Sequence, residues 1–287
     1  MNSVSQTETS AHTSEKPLRQ RMRQFYETSE IYKGLLAEHD EAYHQPFVEL
    51  VNRYTPPNAQ ILELGCGNGI ASMLLNRSGH DVVGTDISAL FLEEAGQWQK
   101  TATGEGEHNL EYRVCDVLEL PFQDETFDVV CSNELIEHVP DVETALSEMI
   151  RVTRKGGRII ICGPNLCSPL MPLIDLMRLI RGKPGRPFWG ETKRQALTNS
   201  ARNIFLYMKK RLSPSPQFLY REPDLDGEVY GGDGDSAYYA NPIDLEKYFR
   251  HHGLRVVKRC VGFSAKGKIM AICFPRISLY ISMVVQR

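Results

Sequence analysis

Short apolar runs alternate with amphipathic ones through the middle of the chain. Strands are predicted at residues 60–64, 81–85, 110–115, 127–132 and 158–162, where apolar and β-branched residues follow one another without strict alternation. Helices are predicted between them, at residues 70–78, 88–101 and 142–153. Strands that are apolar on both faces are typical of a parallel sheet covered by helices on each side. The pattern therefore predicts an α/β fold with a mostly parallel sheet.

The two ends of the chain have different patterns. Residues 1–16 are rich in Ser, Thr and Glu and predict a disordered tail. Residues 17–56 have a helical spacing of apolar and aromatic positions and predict an N-terminal helical cap. Near the other end, residues 241–253 predict a helix, followed by strands at 254–263 and 277–285. Too few residues separate these two strands for a crossover helix, so they are predicted to be antiparallel.

Residues 163–240 interrupt the alternation and contain no clear strand. From residue 176 to residue 212 there are ten basic residues against one acidic residue, and an acidic stretch follows from 222 to 246. A structureless loop of this length is unusual inside a compact domain, so we predict a mainly helical inserted subdomain that forms a substrate lid. Residues 170–183 are apolar around most of a helix. We expect them to pack as a lid, and the alternative is an interfacial membrane anchor.

Composition and charge exclude several classes of protein. Apolar residues make up 41% of the 287-residue chain, charged residues make up 24%, and the net charge is −3, so nucleic acid is not expected as a partner. No apolar run is long enough to span a membrane. The seven cysteines form no CxxC pair, which favours buried, reduced thiols over disulfides or a zinc site. These features predict a cytoplasmic location and no bound metal.

A glycine-rich turn is the strongest chemical signal. Gly65, Gly67 and Gly69 follow a strand that ends in Glu63-Leu64, and a helix is predicted directly after them. Glycines allow a sharp turn and let a ligand approach the bare backbone, while the helix N-terminus supplies free N–H groups. The spacing is not the GxGxxG of dinucleotide-binding proteins, because Ile70 stands where the third glycine of that motif belongs.

Polar residues follow the next three predicted strands. Asp86 ends the second strand, where its carboxylate can accept hydrogen bonds from ribose hydroxyls. The alternative is that Asp86 only caps the following helix, but Ser88 can do the capping and leave Asp86 free. Asp116 and Asn133 end the third and fourth strands. Ligands in open α/β sheets bind outside the carboxyl ends of the strands, so these side chains are predicted to share one site.

With these motifs in order, residues 57–164 resemble the class I S-adenosylmethionine-dependent methyltransferases, in the small bacterial-type branch that includes quinone-biosynthesis enzymes. The segments "LELGCGNG" and "GTDIS" carry the likeness, with "CDVLELPFQDETFDVVCSNELIEHV" and "RVTRKGGRIIICGPN" after them. The resemblance implies a Rossmann-like, seven-stranded, mostly parallel sheet with a C-terminal antiparallel hairpin and a mainly helical insertion before the last helix. Residues 57–162 and 241–287 then form the S-adenosylmethionine-binding domain.

The resemblance also implies roles for individual residues. The glycine loop cradles the amino-acid part of S-adenosyl-L-methionine, Asp86 binds its ribose, Asp116 with the Val117 N–H reads the adenine, and the Asn133 region lies near the methionine portion. The implied cofactor-binding residues are Glu63, Gly65, Cys66, Gly67, Gly69, Asp86, Ile87, Asp116, Val117 and Asn133.

Residues that touch the methyl acceptor are harder to predict. His138 could act as a general base, but we favour a structural role in the turn that precedes the next helix. Glu134 and Glu137 are predicted to be solvated or helix-entry charges. Tyr238 and Tyr239 precede the last helix and could line the acceptor pocket, although aromatic residues at such junctions more often only pack. Asp233 and Asp235 in "GGDGD" lack a calcium-loop pattern and are predicted to form a flexible acidic turn.

Three functions follow from this pattern. The leading hypothesis is a methyltransferase for a small-molecule or lipid-like acceptor, with peripheral membrane contact through residues 170–211 as an option. The second is methylation of nucleic acid or protein, which the basic stretch supports weakly. The third is a non-catalytic S-adenosylmethionine-binding protein on the same fold. The identity of the acceptor, the atom that is methylated and the oligomeric state are left open by the sequence.

Overall fold

In a computed structural model the described residues are 17–102, 108–186, 189–225, 234–260, 269 and 272–287. Their α-helices are α1 (Leu18–Thr28), α2 (Glu30–Ala37), α3 (Glu41–Tyr54), α4 (Ile70–Arg77), α5 (Ala89–Ala102), α6 (Val142–Val152), α7 (Leu170–Ile180), α8 (Lys193–Leu212) and α9 (Pro242–His251). Their strands are β1 (Gln60–Leu64), β2 (Asp81–Asp86), β3 (Leu110–Val114), β4 (Phe127–Asn133), β5 (Thr153–Pro164), β6 (Arg255–Lys258) and β7 (Tyr280–Gln286). The predicted disordered tail, residues 1–16, lies outside the described residues.

The strands form one seven-stranded sheet in the order β3-β2-β1-β4-β5-β7-β6. β1 to β5 pair in parallel, whereas β7 is antiparallel to both β5 and β6. The predicted α/β fold, with a mostly parallel sheet and a C-terminal antiparallel hairpin, is confirmed. The order reverses between β1 and β4, which is where open sheets of this kind bind their ligands.

Each face of the sheet is covered by a different set of helices. Side chains alternate along β1, so that Ile61 packs with α3 and α4 while Leu62 and Leu64 pack with α6 and α9. These strand residues are at most 1% exposed. Burial on both faces explains why the strands read as continuous apolar runs rather than as alternating ones.

Three predicted strand boundaries differ from the structure by three residues or more. β5 begins at Thr153, five residues early, because Phe127 of β4 pairs with Thr153 across an irregular register. β7 begins at Tyr280 because the N–H groups of Ile277 and Ser278 donate to the Phe274 carbonyl in a turn. β6 ends at Lys258, and the last predicted residues of that strand, 261–263, lie outside the described residues.

Six of the seven cysteines are buried, whereas Cys273 is exposed. Burial raises the pKa of the Cys131 and Cys162 thiols well above their usual value, so these two groups stay protonated in the core of the sheet.

The described part of residues 163–240 contains α7 and α8, which pack against each other. Lys210 at the end of α8 is fully buried and donates to the Asp244 carboxylate on α9 and to the Gln217 carbonyl, 2.9 Å away. A buried ion pair broken on one side leaves an uncompensated charge, so this pair fixes α8 against the sheet domain.

The polar side of α7 is its buried side. Asp175 is fully buried and is paired with Arg186 at 2.9 Å, while Met177 and Ile180 are 50% and 63% exposed. The pair with Arg186, 11 residues further along the chain, decides the rotation of the helix, because a buried carboxylate needs a cationic partner.

Candidate active site

A cleft lies along the carboxyl ends of the central strands, at the point where the strand order reverses. Eight of the residues predicted to bind the cofactor line this first cleft: Gly65, Cys66, Gly67, Asp86, Ile87, Asp116, Val117 and Asn133. They come from the carboxyl ends of β2 and β4 and from the turns after β1, β2 and β3, so the sheet brings together residues that are up to 68 positions apart.

The glycine turn has the conformation that its sequence predicts. Gly65, Gly67 and Gly69 have φ angles of 69°, 53° and 79°, a left-handed region that other residues enter only with strain. A Cβ atom on Gly67 would lie 3.3 Å from the Leu36 side chain, so glycine lets α2 approach the turn closely. Gly65 and Gly67 line the first cleft, where their main-chain atoms are accessible to a ligand.

Glu63 and Gly69 support this turn and do not line the first cleft. Glu63 is 2% exposed and accepts a hydrogen bond from the Ser72 hydroxyl in α4. Burial raises the pKa of the Glu63 carboxyl to about 7, with a smaller upward contribution from the nearby Asp86 charge. A Cβ atom on Gly69 would lie 2.6 Å from that of Ala95, which shows that close packing requires glycine here. We therefore assign both residues structural roles.

Asp86 is fixed by the backbone around it. One carboxylate oxygen accepts from the Gly67 N–H at 3.0 Å and the other from the Ser88 N–H at 2.9 Å. The Ser88 hydroxyl donates to the Tyr26 carbonyl and so ties this turn to α1. Burial raises the Asp86 pKa, and hydrogen bonds from the backbone N–H groups of Ser88, Gly67 and Ile87 counteract that rise. Each oxygen retains acceptor capacity toward the cleft.

Helices α1 and α2 cover the first cleft, which the sequence did not reveal. Arg19 on α1 donates to the Asp116 carboxylate at 2.8 Å, and Met22 and Tyr26 from the same helix also line the cleft. The Tyr32 ring on α2 stacks on Phe91 with 5.6 Å between ring centroids. The aromatic pattern of residues 17–56 was a signal that this segment packs, but it did not indicate against what.

A second cleft adjoins the first, and the two share the five residues Tyr32, Leu36, His39, Glu134 and His138. The 163–240 segment contributes Pro164, Met171, Arg186, Trp189 and Asp235 to its wall. The rest of the wall comes mainly from α2, the turn after β4 and the start of β7. The shared residues place the second cleft directly beside the candidate cofactor site.

The structure does not bring Tyr238 and Tyr239 to either cleft. Tyr238 is fully buried, and its hydroxyl donates to Asp244 at 3.0 Å. The Tyr239 ring packs under the Arg202 guanidinium, 5.5 Å from its centroid. Tyr238 attaches the 163–240 segment to α9, and Tyr239 packs within the segment, so both residues have the packing role that was the alternative to lining the acceptor pocket.

Two glutamates that we expected to be solvated lie in the site. Glu134 has a left-handed φ of 52°, which is uncommon for a residue with a Cβ and is typical of strained functional positions. Tyr43 and Tyr280 both donate hydrogen bonds to its carboxylate. Glu137 is 1% exposed and packs on the backbone at Gly163. The sequence signal was only a pair of acidic residues near the end of β4.

Asp235 was also predicted wrongly. Its side chain is buried rather than part of a flexible acidic turn, and it accepts a hydrogen bond from the Tyr26 hydroxyl at 2.9 Å. Asp233, predicted to share that turn, lies outside the described residues. Among the residues that the structure describes, no group of three or more His, Cys, Asp or Glu side chains is arranged to hold a metal ion.

A family model described as a methyltransferase domain matches residues 62–161. The match spans β1 to β5 and all the strand-end residues of the first cleft. Residues 62–161 are therefore similar to a methyltransferase domain. The methyltransferase domain therefore coincides with the part of the chain on which the resemblance in sequence rested.

The curated relatives cover the same domain. A ubiquinone/menaquinone biosynthesis C-methyltransferase from Desulfotalea psychrophila is 37% identical over 107 residues, which are 37% of this chain and 41% of the relative. A mitochondrial ubiquinone biosynthesis O-methyltransferase from Homo sapiens is 35% identical over 123 residues, which are 42% of this chain and 31% of the relative. This chain thus spans less than half the length of these relatives, and the similarity concerns the methyltransferase domain alone.

Solved structures extend the likeness in fold to most of the chain. A magnesium protoporphyrin IX methyltransferase from Synechocystis PCC 6803, solved with bound S-adenosylhomocysteine, covers 94% of both chains with a TM-score of 0.51 and 17% identity. An S-adenosylmethionine-dependent methyltransferase from Mesorhizobium loti covers 86% of this chain and 98% of its own with a TM-score of 0.50 and 13% identity. At such identities the comparison establishes the Rossmann-like fold.

Proposed function

We propose that this chain binds S-adenosyl-L-methionine in the first cleft and transfers the methyl group to a small-molecule or lipid-like acceptor in the second cleft. One observation carries the proposal. The two clefts adjoin along a shared wall of five residues, and one of them is built on the glycine turn and strand ends that the domain family uses for its cofactor. Curated relatives named as demethylmenaquinone and tocopherol methyltransferases support a small acceptor.

The residues of the first cleft fit the cofactor. The backbone at Gly65 and Gly67 lines the cleft and would contact the amino-acid part of the cofactor, and the buried Asp86 carboxylate offers acceptor capacity to the ribose hydroxyls. Asp116 and the Val117 N–H face the adenine end, where Arg19 of α1 has to share the Asp116 carboxylate. When bound, the cofactor supplies an electrophilic methyl group, and the protein contributes binding, orientation and exclusion of water.

Two measurements test this proposal. Titration calorimetry should show binding of S-adenosylmethionine and S-adenosylhomocysteine and none of NAD, since Ile70 replaces the third glycine of the dinucleotide motif. The radiolabelled cofactor is then incubated with the protein and a cell extract that is separated into metabolite, lipid, nucleic-acid and protein fractions. Label in the first two fractions supports the proposal. Label only in nucleic acid or protein contradicts the acceptor class, and cofactor binding without any transfer contradicts an enzyme.

The surfaces of helices α7 and α8 indicate where the protein encounters its methyl acceptor. None of the described helices is long and apolar enough to cross a bilayer. Each of these two helices nevertheless exposes an apolar stripe at helical spacing. The stripe residues are Leu173, Ile174, Met177 and Ile180 on α7 and Leu197, Ile204, Phe205, Met208 and Leu212 on α8. Contiguous exposed apolar surface of this kind marks an interaction site.

The partner that fits these stripes is an anionic membrane surface. Exposed basic residues accompany them: Arg181, Lys183, Lys193, Arg194, Lys209 and Arg211. Apolar side chains flanked by basic ones are typical of helices that lie in the bilayer interface. Peripheral contact through residues 170–211 would present the second cleft to lipid-like acceptors.

Vesicle co-sedimentation tests the membrane contact. The intact chain should pellet with phosphatidylglycerol vesicles and be released by salt, because the basic residues contribute electrostatic attraction. Phe205→Glu, at a position 67% exposed, should weaken pelleting at least about tenfold, since it places a charge in the apolar stripe. Val257→Glu on β6, a site 37% exposed and outside the stripes, is the matched control and should not weaken it. Equal loss in both variants, or no pelleting of the intact chain, contradicts the membrane contact.

A further inference from the structure

A third cleft, with a volume of about 460 Å³, lies where the end of α8 meets α9 and the turn before β7. It shares no described residue with the first or the second cleft. Within the described part of the chain its wall carries four basic residues and one acidic residue: Arg211, Lys247, Arg250 and Arg276 against Glu246. A concave surface with this excess of positive charge attracts an anion.

The single carboxylate of this cleft is shared by three arginines. The Glu246 side chain is 5% exposed, and its Oε1 atom is 2.9 Å from a nitrogen of Arg250 and 2.9 Å from one of Arg259. Its Oε2 atom is 3.2 Å from a nitrogen of Arg276. One carboxylate compensates only one guanidinium charge. The buried Glu246 therefore fixes the positions of these side chains but leaves most of their charge and several of their N–H donors to a ligand.

The end of α8 does not cancel this positive charge. A helix has a partial negative charge at its C-terminus, which would repel an anion. Here Lys247 donates to the carbonyl oxygens of Lys210 and Ser213 and so neutralises that end. The exposed Arg211 side chain has no hydrogen bond or ion pair with any other residue that the structure describes. Its guanidinium group is therefore available to a ligand in the cleft.

The third cleft continues onto the apolar stripe of α8. Leu212 is 74% exposed, lines the cleft and is the last residue of that stripe. Met208 and Phe205 precede it at helical spacing and are 43% and 67% exposed. An anion bound among the arginines would therefore lie beside exposed apolar surface. A free phosphate gains nothing from such a surface, whereas the acyl chains of a phospholipid would cover it.

We propose that the third cleft binds the phosphate headgroup of a membrane lipid, with Arg211, Arg250 and Arg276 as the donors. Guanidinium groups match phosphate oxygens in both geometry and charge. The proposal rests on the proposed membrane contact of α7 and α8 and deepens it. It adds recognition of one headgroup chemistry to a general attraction between basic residues and an anionic surface. A headgroup held at the end of α8 would fix the orientation of the chain on the bilayer.

Two soluble probes test the cleft without a membrane. Titration calorimetry on the full chain compares inorganic phosphate with dihexanoyl phosphatidic acid, which is kept below the concentration at which it forms micelles. The lipid should bind at least about tenfold more tightly, because its chains bury apolar surface in addition to the phosphate contacts. Leu212→Gln should reduce this advantage and leave the affinity for phosphate unchanged. Equal affinities of the two probes would indicate a site for free phosphate, and that result, or no binding of either probe, overturns the proposal.

Arg211→Gln tests the donors, because this side chain has no partner among the described residues and its loss should not change unfolding in urea. Binding of dihexanoyl phosphatidic acid should weaken about tenfold, the usual value of a hydrogen bond between two charged groups. Lys155→Gln on β5 is the matched control. It removes the same charge from a side chain that is 83% exposed and that lines none of the three clefts, so the affinity should stay within about twofold. An equal loss in both variants would mean attraction by net charge alone and would contradict a site.

Vesicles separate this proposal from the membrane contact on which it rests. Phosphatidylcholine vesicles that contain phosphatidic acid are compared with vesicles that contain oleic acid at the same surface charge. The intact chain should pellet more strongly with phosphatidic acid, and Arg211→Gln should lose that preference while it still pellets. Phe205→Glu should instead lose pelleting with both kinds of vesicle. Equal pelleting of the intact chain with both kinds overturns the headgroup site. If the intact chain pellets with neither, the membrane contact fails, whereas the calorimetry still decides whether the cleft binds the lipid.

Discussion

The buried carboxyl of Glu63 should make the stability of the methyltransferase domain fall as the pH rises. Its pKa is about 7 in the folded chain, against 4.5 when it is exposed, because burial penalises the charged form. A carboxyl whose pKa is raised by folding binds its proton more tightly in the folded state, so the folded chain is more stable at low pH. Stability is lost as the pH rises from 4.5 through about 7.

The size of the effect follows from these two pKa values. The ionised carboxyl should cost about 3 kcal/mol of unfolding free energy at pH 8 and roughly 1 kcal/mol at pH 5. Glu63→Gln removes the titration and keeps an oxygen that accepts from Ser72. The variant should therefore gain about 2 kcal/mol relative to the unaltered chain between pH 5 and pH 8. Any constant cost of the buried amide cancels in this difference.

Urea unfolding of both chains at a series of pH values measures the difference. Glu148→Gln is the control, because folding shifts the pKa of that carboxyl in the opposite direction: hydrogen bonds from Arg151 lower it. The stabilisation from Glu148 is present above its unfolded pKa and is lost only below it, so the cost of Glu148→Gln should stay nearly constant from pH 5 to pH 8. A stability difference between Glu63→Gln and the unaltered chain that is also constant over this range would refute the reasoning.

Three further substitutions test the site and its support. Asp86→Asn should weaken S-adenosylhomocysteine binding about 10- to 100-fold in calorimetry. The asparagine side chain has one oxygen, so its NH₂ group would face one of the two backbone N–H donors that Asp86 now accepts from. Unchanged affinity would remove Asp86 from the cofactor site. Lys210→Met should lower the unfolding free energy in urea by about 3–5 kcal/mol, since it leaves Asp244 charged and buried; a neutral result would mean that the pair does not fix α8. Gly69→Ala should lower the melting temperature well beyond Gly156→Ala, because both glycines have positive φ but only the Gly69 Cβ meets other atoms; equal losses would mean that close packing there is unimportant.

The sequence by itself determined the sheet and the strand-end residues that line the first cleft. The strands are buried on both faces, so their apolar runs indicate them directly. Their carboxyl ends meet at one edge, so the turn at Gly67 and the carboxylates of Asp86 and Asp116 could be placed together from their order along the chain. These features depend on local pattern and on a general rule of parallel sheets, and both are present in the sequence.

Only the tertiary structure decided which helices cover the first cleft and which residues surround the acceptor. Arg19 meets Asp116 from 97 positions away, and Asp235 meets His138 from the far side of the inserted segment. An amphipathic helix specifies that one face is apolar, but not which surface will cover it or whether anything will. The rotation of α7 shows this, because burial of Asp175 against Arg186 turned its apolar face outward. Long-range ion pairs and hydrogen bonds fixed these choices, and no periodicity along the chain records them.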